Sequence, residues 1–292
     1  MTHEAHFIAP MGARRERYTN RAGGLDIDAF VADLFADSNF RRQGLEENLV
    51  RRSLEESSAS GFAEAVRVVF GLYAAAQGKR LYGDKTPGSV TQIELLGSLF
   101  PEARFVHIIR DGRAVALSYL ERPEWGPKTM AEAAQHWKSR VTRGRRGGEA
   151  LGRSRYREVK YEDMVADPEQ VTRELCEFLG LGYAADMLNY HRHGAEFIAE
   201  TKDPEAFKNL AKPVTKDLRD WRDQMSAADA ALFEAIAGDL LVDLGYEVED
   251  AGNTIRARLQ ALVSAAAWQG KRAMAFVSRR AARRRAGGPE ES

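Results

Sequence analysis

Arg110, Gly112 and Ser118 fall within nine residues, directly after the apolar run Phe105 to Ile109. That set suits a phosphate. A guanidinium forks onto two phosphate oxygens, the free N–H groups of a helix start attract an anion, and Ser118 adds a hydroxyl one to two turns along. The preceding run is apolar and largely β-branched, as expected of a parallel strand covered on both faces. Ligands of open α/β sheets bind at the carboxyl ends of such strands. Gly112 is expected to permit a tight turn into the helix. A plainer reading also fits these residues, with Arg110 and Asp111 simply pairing with each other.

Two more blocks accompany this one. Tyr82-Gly83-Asp84-Lys85-Thr86-Pro87 lies upstream, between two helical patterns. Tyr156-Arg157-Glu158-Val159-Lys160-Tyr161-Glu162-Asp163-Met164 lies downstream, followed by Asp167-Pro168 at the start of a further helix. In this order and spacing, over roughly residues 1–250, the three blocks resemble the sulfotransferases that use 3′-phosphoadenosine 5′-phosphosulfate (PAPS), in particular the tyrosylprotein and bacterial branches. The resemblance implies an α/β fold of three layers, with a mostly parallel central sheet flanked by helices and related to P-loop NTPases. It also implies transfer of a sulfuryl group from PAPS, as co-substrate and without a metal, to a hydroxyl or amine on a small-molecule, glycan, lipid or peptide acceptor.

Carried onto this sequence, the resemblance makes Arg110 and Ser118 the grip on the 3′-phosphate. Lys85 becomes the cation that stabilises charge on the bridging oxygen, although a surface salt bridge to Asp84 would also account for it. Tyr161 corresponds to a tyrosine that contacts the nucleotide, or is a plain core residue. Lys212, in Lys212-Pro213-Val214, aligns with a late lysine that closes over the cofactor. Glu4, in Glu4-Ala5-His6-Phe7, corresponds to the glutamate that accepts the proton of the attacking group. His6 is the rival base, since an imidazole titrates closest to neutrality, and fraying of a chain terminus is the plain alternative for both.

One family feature has no counterpart. The family begins with an apolar strand and an Arg-Ser-Gly-Thr-Thr-like loop whose N–H groups nest the 5′-phosphosulfate. Arg21-Ala22-Gly23-Gly24 and Arg145-Arg146-Gly147-Gly148 contain glycine pairs, but neither follows an apolar strand. The expectation is therefore an α/β domain without its first βα unit, with an incomplete start as the cause. The alternative is an inactive nucleotide-binding or interaction protein of sulfotransferase descent. A nucleotide kinase is disfavoured by the lack of Gly-x-x-x-x-Gly-Lys-Ser/Thr.

The elements that must position these residues follow from periodicity. Residues 1–24 read as loop. Helices are expected around Ile27 to Phe35, Leu45 to Leu54, 61–77 with Gly78 as terminator, Ser89 to Phe100, 129–150, 168–179, and from Ser226 to Gly245 with Ser226 and Asp229 as a capping pair. Strands are expected near Leu81-Tyr82, over 105–109 and from Arg155 to Tyr161. Residues 1–251 are expected to form the catalytic domain, and 252–292 a basic amphipathic helix and disordered tail.

The 292 residues are 44% hydrophobic and 29% charged, with formal net charge zero, so the overall balance does not call for nucleic acid. Charge is uneven, however: from Asn253 onward nine Lys/Arg stand against Glu290 and Glu291. Ile255, Leu259, Leu262, Val263, Ala266, Met274 and Val277 share one helical face there, which suits peripheral contact with an anionic membrane. The lone Cys176 sits on an apolar helical stripe and reads as core. His191-x-His193 lacks further ligands at useful spacing. With no apolar run of spanning length and no signal-peptide pattern, a cytoplasmic protein is expected, possible attachment being peripheral to the membrane.

Overall fold

The computed structural model describes residues 4–122, 124, 126–192, 194, 198, 208–213, 220–249 and 255–285, the last helix by its backbone alone at 271–273 and 275–285. The chain divides into two compact units, one of Met1–His107, Arg143–Glu158 and Thr172–Pro213, the other of Ile108–Thr142, Val159–Val171 and Val214–Ser292. Two strands, β1 (Phe105–Ile109) and β2 (Tyr156–Lys160), make a small parallel sheet flanked by helices, and Phe105 N–H donates to the Arg155 carbonyl at 2.7 Å where the pairing starts.

In the first unit, helices α1 (Ile8–Gly12), α2 (Ile27–Ala36), α3 (Ser38–Arg41), α4 (Glu47–Glu56), α5 (Phe62–Ala76) and α6 (Ile93–Leu99) surround an aromatic core. The periodic residues drive this arrangement: Phe30, Val31 and Leu34 of α2 and Phe62, Val66, Val69 and Phe70 of α5 are all buried, as one face of a helix with 3.6 residues per turn must be. Asp26 caps α2 by accepting from Ala29 N–H at 3.0 Å. Gly78, at φ +64°, takes the left-handed conformation that stops α5.

In the second unit, α7 (Gly112–Leu120), α9 (Tyr161–Ala166), α11 (Trp221–Gln224), α12 (Ala227–Asp243) and α13 (Ile255–Arg285) accompany part of α8 (Met130–Leu151); α10 (Pro168–Leu179) precedes α11 in the chain. Ile109, Ala116, Trp137, Phe233 and Leu241 share its core. The Ser226 hydroxyl accepts from Asp229 N–H at 3.1 Å and starts α12. Cys176 is buried, as its stripe requires.

Three expectations need correction. Residues 1–24 are not all loop: α1 and a 3-10 turn at Arg15–Tyr18 lie there, and Phe7 packs edge-on against Phe40 at 5.5 Å, which anchors the segment and removes the case for fraying from Glu4 onward. Leu81-Tyr82 joins no strand ladder among the described residues, and the Tyr82 ring rests on Phe70 at 5.2 Å instead. Strand β1 is not covered on both faces, because Ile108 remains exposed beside a sheet of two described strands. A smaller shift is that Pro87–Gln92 forms a 3-10 turn ahead of α6, so the regular α-helix begins later than Ser89.

Candidate active site

The turn after β1 is organised by Asp111, and its partner is Arg113, not Arg110. The Asp111 carboxylate caps α7 by accepting from Arg113 N–H at 2.9 Å, and it takes two more bonds from the Arg113 guanidinium, Nε at 3.1 Å and Nη2 at 2.8 Å. Arg113 also donates to Glu234 Oε1 and to the Glu247 carbonyl, each at 2.7 Å, and its guanidinium stacks 3.6 Å from the Trp221 ring centre. Only 1% of its side chain is exposed. A buried cation needs this many partners, because its desolvation is otherwise uncompensated.

With Asp111 so engaged, Arg110 has a different neighbour. Its guanidinium lies 4.6 Å from the centre of the Tyr161 ring, a cation–π contact. The Arg110 carbonyl accepts from Trp137 Nε1 at 3.1 Å, and the next N–H, of Asp111, donates to Glu162 Oε1 at 2.9 Å. Glu162 in turn accepts from the Tyr246 hydroxyl at 2.8 Å. Burial, and then the Glu162 charge, push the Tyr246 hydroxyl well above the usual phenol range, so it remains a donor. Both backbone groups flanking the Arg110 peptide are therefore fixed by side chains from α8 and α9. Tyr161 reaches Arg110 because it opens α9 directly after β2, one residue beyond the strand it was expected to end. Ser118 is half-buried on α7.

Gly112 is needed for closeness, since its φ is not positive. A Cβ there would stand 2.5 Å from atoms of both the Trp137 and Phe233 rings, so only glycine lets α7 start against them.

The other candidates gather in the first unit. Lys85 Nζ donates to Glu4 Oε1, and the second oxygen of Glu4 meets His6 Nε2 at 3.0 Å. Asp84, the alternative partner of Lys85, accepts instead from Ala5 N–H at 3.0 Å and from the Thr86 hydroxyl at 2.9 Å. Asp84 thus ties the amino-terminal segment to the lysine loop. Lys212 is exposed after a 3-10 turn at Lys208–Ala211, and its carbonyl accepts from the Tyr190 hydroxyl at 3.0 Å. Val214 beyond it and His193 lie outside the described residues. Among the described residues no group of three His, Cys, Asp or Glu could hold a metal ion.

A sequence model of the sulfotransferase family matches residues 25–186. The chain belongs to that family. The match takes in Lys85, Arg110, Ser118 and Tyr161 and leaves Glu4 and Lys212 outside. Sulfotransferases of several kinds are similar to it: protein-tyrosine sulfotransferase A of Caenorhabditis elegans is 25% identical over 169 residues, 56% of this chain and 44% of that one. The omega-hydroxy-beta-dihydromenaquinone-9 sulfotransferase Stf3 of Mycobacterium tuberculosis is 27% identical over 144 residues, 40% of this chain and 36% of that one. These matches span less than half the length of either relative. The sulfotransferase domain of the Synechococcus PCC 7002 olefin synthase superimposes with a TM-score of 0.50 at 21% identity, covering 84% of this chain and 85% of that chain, which places the two in one fold.

Sequence reasoning singled out Arg110 and Tyr161 but not the residues packed around this turn: Arg113, Glu162, Glu234, Trp221 and Tyr246. One signal was available, since an Asp followed two residues later by Arg at a helix start pairs the two locally. Glu234 stands 121 positions away from Arg113, and no local pattern joins them.

Proposed function

We propose that the chain transfers a sulfuryl group from PAPS to a hydroxyl or amine of its acceptor. The observation that carries this reading is the Arg110 guanidinium resting on the Tyr161 ring while Asp111 is bound to Arg113. A phosphate-gripping arginine must be positioned without being neutralised, and a ring face orients a guanidinium while leaving N–H donors at its edge. Arg110 and Ser118 hold the 3′-phosphate, and Tyr161 borders the nucleotide. In the in-line displacement the acceptor oxygen or nitrogen attacks sulfur. The bond from sulfur to the bridging oxygen breaks, and adenosine 3′,5′-bisphosphate leaves with the electron pair. Lys85 offsets the charge on that bridging oxygen, and Glu4 takes the acceptor's proton. Glu4 in contact with Lys85 is a carboxylate beside the cation it would work with. Lys212 closes over the bound nucleotide. The protein works in the cytoplasm without a metal, on a small-molecule, glycan, lipid or peptide acceptor.

Calorimetric titration with adenosine 3′,5′-bisphosphate tests the reading. Arg110→Ala is expected to weaken binding by about 1.5–3 kcal/mol, the worth of a charged hydrogen-bonded contact. A folded wild-type chain that does not bind the nucleotide, or an Arg110→Ala chain that binds it equally, would remove the proposal. Tight binding with no sulfuryl transfer to any acceptor would favour an inactive nucleotide-binding protein.

A further inference from the structure

Helix α13 turns Ala257, Ala261 and Trp268 toward its unit and leaves five of its large apolar residues outward. Ala257 and Ala261 are buried, Ala261 in the core that contains Phe233 and Leu240 of α12, and the Trp268 ring meets His136 of α8 at 6.3 Å. Ile255, Leu259, Leu262, Val263 and Met274 are each between 57% and 78% exposed. At 3.6 residues per turn these five fall within about 120° of arc. A helix stabilised only by its own fold would bury them and expose the alanines. Burial against α12 therefore accounts for one face and leaves the other as a continuous apolar stripe.

Charge selects what covers it. Residues 255–285 contain nine Lys/Arg and no Asp or Glu, in a chain whose formal net charge is zero. Arg256 and Arg258 are exposed beside the stripe. Two copies of this helix would bring like charges together, whereas an anionic lipid surface offers both acyl chains for the stripe and headgroups for the arginines. No described helix is long and apolar enough to cross a membrane, which leaves α13 lying in the surface plane. We propose that α13 binds an anionic phospholipid bilayer, with Leu259, Leu262 and Val263 at the acyl boundary and the basic residues among the headgroups.

Flotation of the full chain with vesicles tests this, using phosphatidylcholine alone and phosphatidylcholine mixed with phosphatidylglycerol, at low and high salt. No nucleotide is needed, so the outcome is independent of the sulfuryl-transfer reading. The chain is expected to float with the anionic vesicles, to do so less at high salt as screening grows, and to stay down with the neutral ones. Leu259→Glu with Val263→Glu, both at exposed positions, is expected to lower the bound fraction at least tenfold while leaving the melting temperature unchanged. Wild-type chain that ignores anionic vesicles, or a double variant that floats as well as wild type, would overturn the proposal. So would sedimentation equilibrium showing a dimer that the double variant dissolves, because the stripe would then belong to a second copy.

Discussion

Arg110 and Arg113 carry the same group three residues apart in different surroundings, a ring face for one and two carboxylates for the other. Arg113 is enclosed by Asp111, Glu234, Trp221 and the Glu247 carbonyl, so removing its charge strands two buried carboxylates. Arg113→Met is expected to lower unfolding free energy by about 3–5 kcal/mol, read from urea denaturation. Arg110→Met should change that value little, and an equal loss from both would contradict the division of labour. Tyr161 separates ring from hydroxyl: Tyr161→Phe should keep nucleotide affinity near wild type, whereas Tyr161→Ala should lose about 0.5–2 kcal/mol by calorimetry. For the proton acceptor, Glu4→Gln is expected to reduce kcat by about 10²–10⁴-fold with nucleotide affinity retained. If His6→Asn produces that loss and Glu4→Gln does not, the imidazole is the base. The sequence made Arg110 legible because a strand end, a turn and a helix start are all local. Arg113's enclosure was not legible, since Glu234 and Trp221 reach it only through tertiary packing.

At the scale of elements, α7 depends on how closely its first turn approaches α8 and α12. Gly112→Ala would drive a Cβ into two aromatic rings that are themselves packed, and the expected cost is about 1–3 kcal/mol, measured as a lowered denaturation midpoint. An unchanged midpoint would mean that the rings move aside freely. The long helices were legible for physical reasons: α2, α5 and α8 carry an apolar face whose period shows in the sequence, whereas α12 is apolar nearly throughout and was marked by its Ser226 cap. Helix α1 is five residues long, too short to show a period, and its order comes from distant partners such as Phe40 and Phe70, which pack on the preceding Phe7. Leu81-Tyr82 looked like a strand because its residue types suit one. A strand, however, is defined by a neighbour to pair with, and composition says nothing about the neighbour. In the candidate site, the same limit separates Lys85, found from its block, from its contact with Glu4, which the two sequence positions do not disclose.

For the whole molecule, buried groups that resist protonation add to the acid sensitivity carried by the carboxylates. His107 of β1 is the clearest. Burial, and then the nearby Arg145 charge, lower its imidazole pKa to about 4. The ring lies 2.6 Å from the Tyr156 hydroxyl, which donates to Glu158 Oε1 at 3.0 Å, and Arg145 Nε donates to the same oxygen at 3.1 Å. With the Tyr156 proton directed at Glu158, a neutral His107 donates from Nδ1. The unfolded chain binds a proton to this residue near its ordinary value of 6.5, while the folded chain resists doing so down to about 4. The folded state is thus favoured above pH 6.5, and that advantage falls away as pH drops from 6.5 to about 4, by about 3 kcal/mol in all. His136, lowered by burial and then by Arg140, adds to the loss in the same direction. His107→Gln should remove most of the first contribution, so its urea midpoint should fall less steeply with acid than wild type across this window, whatever its value at pH 7. If the two chains lose stability in parallel between pH 6.5 and 4, His107 is not held neutral by the fold, and the acid sensitivity belongs to the carboxylates instead.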